Sequence, residues 1–331
     1  MSEFRHDPLT STWTLISANR ARRPQGPQIS ICPFCPGNEC ETPPEIPIPI
    51  LPQTPDWFVR VFPNKYHVLE IEPQRERVEA GSYLKENGVG CHEVIVDHPY
   101  TDHRHPAELR PDEIELALRA VKWRMKDLVG DRRMVYPVFF KNHGPGAGSS
   151  LEHPHWQLIV LPIIPQQVRI RLQTCEEFFD KRRCCLLCQI IRQEQDSGER
   201  MVCEADEFLA WVPYTAQFPY ELMCAPTVHN HRFEWTDNEM LYSFAHLFSN
   251  VMRRMREVTG NADFNVILYT SPWFENDERP SHGRTIEHDF HWYFRIVPRT
   301  TRMAGYEFAT GYYINPKQPE EAAREYRSIV L

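Results

Sequence analysis

No apolar run in the chain approaches the ~18 residues a helix needs to cross a bilayer, and the opening MSEFRHDPLTSTWTLIS holds no apolar core of the signal-peptide kind. The expectation is a cytoplasmic protein with no membrane partner. Positive charge is in short supply as well: 37 Lys and Arg face 45 Asp and Glu, a net charge of −8. A nucleic-acid backbone needs a basic surface, so no nucleic-acid partner is expected, although a local basic pocket could still take a phosphorylated small molecule. The glycine-rich GPGAGSS at 144–150 lacks the Gly-Lys-Ser/Thr ending of a P-loop. What is present is ordinary for a globular protein: 331 residues, 25% charged and 41% hydrophobic. That is room for one large domain or two medium ones.

Ten cysteines without an export signal point to metal or redox chemistry rather than disulfides. Two pairs have metal-ligand spacing, Cys32–Cys35 in CPFC and Cys185–Cys188 in CLLC. Cys184 adjoins the second pair and blurs which thiols would serve. Cys40, Cys91, Cys175, Cys203 and Cys224 read as buried or incidental thiols. Each pair needs two more ligands, typically imidazoles. His153 is a candidate for the first; for the second the candidates are His229 or His231, and His288 or His291. Buried thiols with unrelated surface histidines are the plainer reading. Two pairs, each followed at the same relative place by a histidine group, make the metal reading the stronger one.

The chain also repeats itself. CPFC, DWFVRVFPNKYHVLE, CHEVIVDHP, a helical stretch, YPVFFKNHG and EHPHWQLIVLP are followed by CLLC, DEFLAWVPYTAQFPYELMCAP, a helical stretch, FNVILYTSP and HDFHWYFRIVP. The last segments superpose without a gap, His155–Trp156 falling on His291–Trp292. A repeat this long is duplication of a whole α+β half rather than a solenoid. FVRVF, EVIVD and PVFFKN read as half-buried strands. Residues 111–129 form a fair amphipathic helix through Ile114, Leu116, Leu118, Val121 and Met125. Residues 236–260 have a Thr cap, early acids, late arginines and a closing Gly, as a helix dipole prefers. The expected architecture is an antiparallel sheet with helices against it, in halves 1–168 and 169–331 linked near 165–184. The Pro-rich TPPEIPIPILPQTPDW (42–57) reads as a long surface connection with polyproline character.

The segment HPHWQLIVLP (153–162) carries the chemistry. In an extended chain His153, His155 and Gln157 share one face, while Trp156, Leu158 and Val160 share the other. With a metal at His153, His155 stays available beside the glycine turn, whose backbone N–H groups can approach an anion closely. A neutral imidazole aimed at a cradled phosphate can act as nucleophile and carry the nucleotidyl group. Gln157 can donate a hydrogen bond to the phosphoryl oxygen as charge develops there.

Here the chain resembles a known family: the galactose-1-phosphate uridylyltransferases and their relatives in the histidine-triad superfamily. The likeness runs nearly end to end, through RHDPLTSTWTLISANRARRP, CPFCPGNE, KNHGPGAGSSLEHPHWQ, the second CxxC, FHWYFRIVP and AGYEFATGYYINP. It implies duplicated histidine-triad-like halves whose antiparallel sheet forms an open half-barrel with helices packed on it. It also implies a ping-pong nucleotidyltransferase with His155 as nucleophile and Gln157 steadying the intermediate. Asn64 matches a nucleotide-side asparagine; Asn142, Gly148, Ser149 and Ser150 match the phosphate end, and Tyr306 and Glu307 the sugar end. Cys32, Cys35 and His153 match a zinc site. Cys185, Cys188, His229 and His291 match a second, structural metal site, zinc or iron. A homodimer that shares residues between its active sites is implied too.

The departures matter. Where the family's remaining zinc histidine stands, HPYTDH has Thr101, so His98 or His103 is expected to take over. Trp156 replaces a small residue, and Thr301 and Tyr313 replace the Lys and Gln of galactose-1-phosphate enzymes. The GYYINP ending looks more like relatives with phosphate as acceptor, such as ADP-glucose phosphorylase; adenylylsulfate:phosphate adenylyltransferase belongs to this wider group. The first expectation is UDP-glucose:hexose-1-phosphate uridylyl transfer, with adenylyl transfer to phosphate next. A nucleotide-binding protein without turnover and a dinucleoside-polyphosphate hydrolase are the rival classes.

Overall fold

The computed structural model describes residues 2–22, 31–51, 57–100, 105–274 and 282–331. In chain order the strands are β1 (Glu3–His6), β2 (Trp13–Ile16), β3 (Arg60–Pro63), β4 (Arg77–Ala80), β5 (Tyr83–Asn87), β6 (Cys91–Val96), β7 (Tyr136–His143) and β8 (His155–Leu161). They continue with β9 (Met201–Ala205), β10 (Phe208–Trp211), β11 (Leu222–Pro226), β12 (Phe264–Tyr269) and β13 (Tyr293–Pro298). The helices are α1 (Pro111–Leu128), α2 (Gln166–Arg182), α3 (Leu186–Ser197), α4 (Asn238–Thr259), α5 (Ile286–Asp289), α6 (Gly305–Thr310) and α7 (Pro319–Ser328). None is long and apolar enough to cross a membrane.

The main sheet has nine strands in the order β3-β6-β8-β7-β12-β13-β11-β10-β9, paired antiparallel and open at both edges. Outward from the β7–β12 seam the order is β7, β8, β6, β3 on one side and β12, β13, β11, β10 on the other. In chain order these are two copies of one unit, each with its long helix, α1 or α4, between the second and third strand. The fold is α+β, and β9 and the small sheet β2-β1-β5-β4 are additions to the duplicated plan. The junction expected at 168/169 falls in the first turn of α2.

Both long helices pack together over one face of the sheet. α1 buries Ile114, Leu118, Val121 and Met125, and α4 buries Leu241, Phe244, Phe248, Val251 and Met255. They meet the inward residues of alternating strand positions, among them Trp156, Leu158, Val160, Phe139, Val266 and Phe294, in one continuous core. Each such side chain fully buried contributes roughly 1.5–3 kcal/mol. The opposite face of β8 carries His155 and Gln157 at its start and Ile159 and Leu161, packed in smaller apolar clusters, further along. Two expectations are corrected. Asp237, not Thr236, caps α4, its carboxylate accepting the Met240 N–H at 2.7 Å. And the Pro-rich segment is no mere surface strap: Ile48 and Leu51 are buried in the main core, brought to one side by a turn in which the Leu51 N–H donates to Ile48 O at 2.9 Å; residues 52–56 lie outside the described ones.

Candidate active site and metal centres

β8 carries His155 and Gln157, the two residues expected to do the chemistry. Its register sets His155 opposite Val96 and Gln157 opposite Val94 of β6, with Trp156 beside Lys141 of β7. Trp156 stacks on Phe139 with ring centroids 4.7 Å apart and enters the core, which turns His155 and Gln157 to the other face as the alternation requires. There the edge of Phe34 meets the His155 ring at 5.3 Å. His155 is only 5% exposed, and its Nδ1 lies 2.8 Å from the His153 carbonyl oxygen. A carbonyl can only accept, so Nδ1 carries the proton and the lone pair sits on Nε2. Beneath the strand, the Asp97 carboxylate accepts both Trp156 Nε1–H at 2.8 Å and Lys141 Nζ at 2.6 Å. This buried pair holds the tryptophan that separates His155 from Gln157.

The glycine turn is built differently from the expected anion cradle. Gly146 N–H donates to Asp263 Oδ2 at 2.6 Å, and the N–H groups of Ala147, Gly148 and Ser149 donate to carbonyls within the turn at 3.0–3.2 Å. Those donors are committed, so the glycines serve close approach rather than anion capture. At Gly144, with φ +79°, a Cβ would come within 1.8 Å of Asp263 Oδ1. The Ser149 hydroxyl donates to Leu151 O at 2.7 Å, Ser150 closes the turn half-buried, and Asn142 receives Asn265 Nδ2 at 2.8 Å. Asn142, Ser149, His153 and Pro154 line a cavity of about 340 Å³ that also reaches His105 and His143.

Two donor sets come together. Cys185, Cys188, His229 and His291 offer four ligand atoms within 4.8 Å of one another, and Cys32, Cys35 and His153 offer three. Cys188 Sγ lies 3.3 Å from Nδ1 of both His229 and His291, while His153 Nδ1 lies 3.5 and 3.6 Å from Cys32 and Cys35. Zinc bonds of roughly 2.3 Å to sulfur and 2.0 Å to nitrogen, across a tetrahedral angle, set an N···S separation of about 3.5 Å. The tautomers fit as well. His153 Nε2 donates to His98 O at 2.8 Å and His229 Nε2 to Glu287 O at 3.0 Å, leaving each Nδ1 lone pair toward the thiols. Burial and the adjacent Cys32 push the Cys35 thiol up to about 11, so ionising it at neutral pH needs a cation beside it. His231 and His288 stay out of the second set, the first packed on Trp235 and the second stacked on Phe179.

His98, expected as a ligand of the first set, does not join it. Its Nδ1 accepts the Tyr100 N–H at 3.1 Å and its Nε2 faces Glu113 at 3.6 Å, so it contributes a carbonyl rather than a ring. His103 and Thr101 lie outside the described residues. Tyr306 and Glu307 sit on the exposed α6, where the Glu307 carboxylate caps its own helix through Ala304 N–H. No described hydrogen bond joins them to His155 or Gln157. Residues that sequence reasoning passed over are His92, whose Nε2 lies 3.0 Å from Gln157 Oε1, and Asp97, Lys141 and Asp263. The one available signal was a polar residue set within an otherwise apolar strand pattern, as His92 and Asp97 are in CHEVIVD and Lys141 is in PVFFKN.

No protein-family model matches the chain. Full-length relatives do. Galactose-1-phosphate uridylyltransferase of Thermotoga maritima is 30% identical over 337 residues, 99% of this chain and 98% of its own. The chain belongs to the galactose-1-phosphate uridylyltransferase family. ADP-glucose phosphorylase of Arabidopsis thaliana is 29% identical over 341 residues, covering 99% of this chain and 93% of its own. The crystal structure of an Arabidopsis ADP-glucose phosphorylase with bound ADP-glucose superposes with a TM-score of 0.79 at 27% identity, covering 100% of both chains. This member of the family is a nucleotidyltransferase.

Proposed function

We propose that the enzyme works by a ping-pong route through a nucleotidyl group on His155. The Nε2 lone pair attacks the α-phosphorus of a nucleoside-diphosphate sugar. The N–P bond forms as the bond to the bridging oxygen breaks, and that oxygen leaves with the sugar 1-phosphate as its anion, so no proton need move. The positive charge arising on the ring is met at Nδ1–H by the His153 carbonyl. A phosphate oxygen of the acceptor then attacks phosphorus on the return step and restores the imidazole. The Gln157 amide faces the charge that develops on the phosphoryl oxygens, and burial of His155 keeps water from the intermediate. The observation that carries this reading is the 2.8 Å bond from His155 Nδ1 to the His153 carbonyl, which leaves Nε2 as the reactive nitrogen.

Zinc, held by Cys32, Cys35 and His153 and by Cys185, Cys188, His229 and His291, would tether the loops that shape this pocket, since cysteine thiolates and imidazoles suit a closed structural site. Asn64, Asn142, Ser149 and Ser150 are assigned to nucleotide and phosphate. Tyr306, exposed on α6, and its half-buried neighbour Glu307 are assigned to the sugar end of a second copy's site in a homodimer.

UDP-glucose with a hexose 1-phosphate acceptor is the first assignment. The full-length likeness to ADP-glucose phosphorylase favours a second, adenylyl transfer from ADP-glucose to phosphate. Incubation with α-labelled donors is expected to leave acid-labile, base-stable label on wild-type protein and none on His155→Ala. Product identification with UDP-glucose, ADP-glucose and adenylyl sulfate, each against phosphate and galactose 1-phosphate, separates the two assignments. Normal exchange by His155→Ala would overturn the mechanism.

A further inference from the structure

We propose that His92 is a positioning residue that sets which end of the Gln157 amide faces the reacting phosphorus, an inference that rests on the mechanism above. His92 lies on β6 and is 3% exposed. Its Nδ1 lies 3.2 Å from the Val68 N–H, which can only donate, so Nδ1 must be the accepting nitrogen. The proton of the neutral ring is therefore on Nε2, which sits 3.0 Å from Gln157 Oε1 and 3.1 Å from Asn64 Nδ2. Asn64 turns its NH2 group toward the ring because its Oδ1 already accepts Tyr66 N–H at 2.8 Å. Two donors cannot satisfy each other, and the acceptor for Nε2–H is the Gln157 oxygen.

The register supplies the direction. His92 pairs with Ile159, Val94 with Gln157 and Val96 with His155, so along this face the sequence is His92, Gln157, His155. An amide holds its oxygen and its NH2 group on opposite sides. With the oxygen fixed on the His92 side, the NH2 group is directed toward the His155 end, where a phosphoryl oxygen needs a donor. Were the amide free to flip, its oxygen would face that phosphoryl oxygen, and two acceptors repel. His92 touches neither phosphorus nor leaving group; its effect passes through Gln157.

Single-turnover formation of labelled nucleotidyl-His155 tests this. His92→Phe keeps the ring and removes the donor. It is expected to slow label formation about 10–100-fold with donor KM within about threefold. His92→Gln can return an amide N–H to the Nε2 position and should recover most of the rate. His92→Asn, too short to do so, should not, and this pair reads the bond even where His92→Phe fails to fold. In a Gln157→Met background, His92→Phe should slow the reaction no further. An unchanged rate in His92→Phe and His92→Asn, or losses that multiply in the double variant, would overturn the proposal. Wild-type protein that never becomes labelled would instead refute the His155 intermediate, and the positioning role with it.

Discussion

His155 and His291 stand at matching places in the two halves, each followed by a tryptophan. In the first half the ring's Nδ1 donates to a backbone carbonyl 2.8 Å away; in the second it faces Cys188 Sγ at 3.3 Å, among four metal-ligand groups. The residue two positions earlier differs too. His153 takes the ligand role in the first half, whereas its counterpart Asp289 bonds Thr285. Two positions later Gln157 is matched by Tyr293, which stacks on Tyr269 and receives Arg171 Nε at 3.2 Å. Aromatic rings and a guanidinium thus fill the place where the first half keeps an amide. One unit of fold therefore sets a different histidine beside the paired sulfurs in each copy, His153 in the first and His291 in the second.

The sharpest way to break that comparison is to delete each imidazole. His155→Ala should lower turnover by roughly 10⁴–10⁶-fold, the range for loss of a covalent nucleophile, with an unchanged melting temperature. His291→Ala should do the reverse, losing bound metal and stability while the residual folded enzyme still accepts label. Equal kinetic losses would mean the halves are not divided in this way. Next in size, Cys188→Ser should release about one equivalent of metal by elemental analysis and lower the melting temperature by ten degrees or more, on the order of several kcal/mol. Cys32→Ser should also reduce label on His155, because His153 supplies both a nitrogen of the candidate metal set and the carbonyl that orients the His155 ring.

The two tryptophans sharpen the contrast further. Trp156 Nε1–H is bonded to Asp97, whereas Trp292 Nε1 is buried with no hydrogen-bond partner among the described residues. Trp156→Phe removes a donor from a buried carboxylate and should cost about 2–3 kcal/mol. Trp292→Phe loses only volume, about 1 kcal/mol. Urea midpoints compare them directly; equal losses would remove Asp97 from the account. The last effect is with acid. Burial holds His105 down at about 3, and His143 and His231 at about 4. All three sit below the unfolded value near 6.5, so the unfolded chain binds more protons as pH falls, and their stabilisation is lost from about pH 6.5 downward. Replacing any one by Phe should remove about one proton from the slope of stability against pH between about 6 and 4.5. An unchanged slope would show that the imidazole is charged in the folded chain.

Much of this was legible in the sequence because it is local or periodic. The duplication shows as ordered blocks, the split of Trp156 from His155 and Gln157 follows from strand alternation, and the two CxxC pairs announce their thiols. What escaped depends on tertiary neighbours. His92 meets Gln157 only through the β6–β8 register. His98 was placed near the first thiol pair correctly in chain terms, yet its ring turns to Glu113 and Tyr100. The glycine turn looked like an anion cradle because nothing in GPGAGSS foretells a carboxylate arriving from residue 263.

That carboxylate ties the evolutionary fate of the copies together. Asp263 directly precedes β12, in the second half, yet it grips the turn that leads into the strand of His155 in the first. A gene cut between the two copies would strip the first half of its clasp, and the duplicate, whatever else it does, could no longer be discarded.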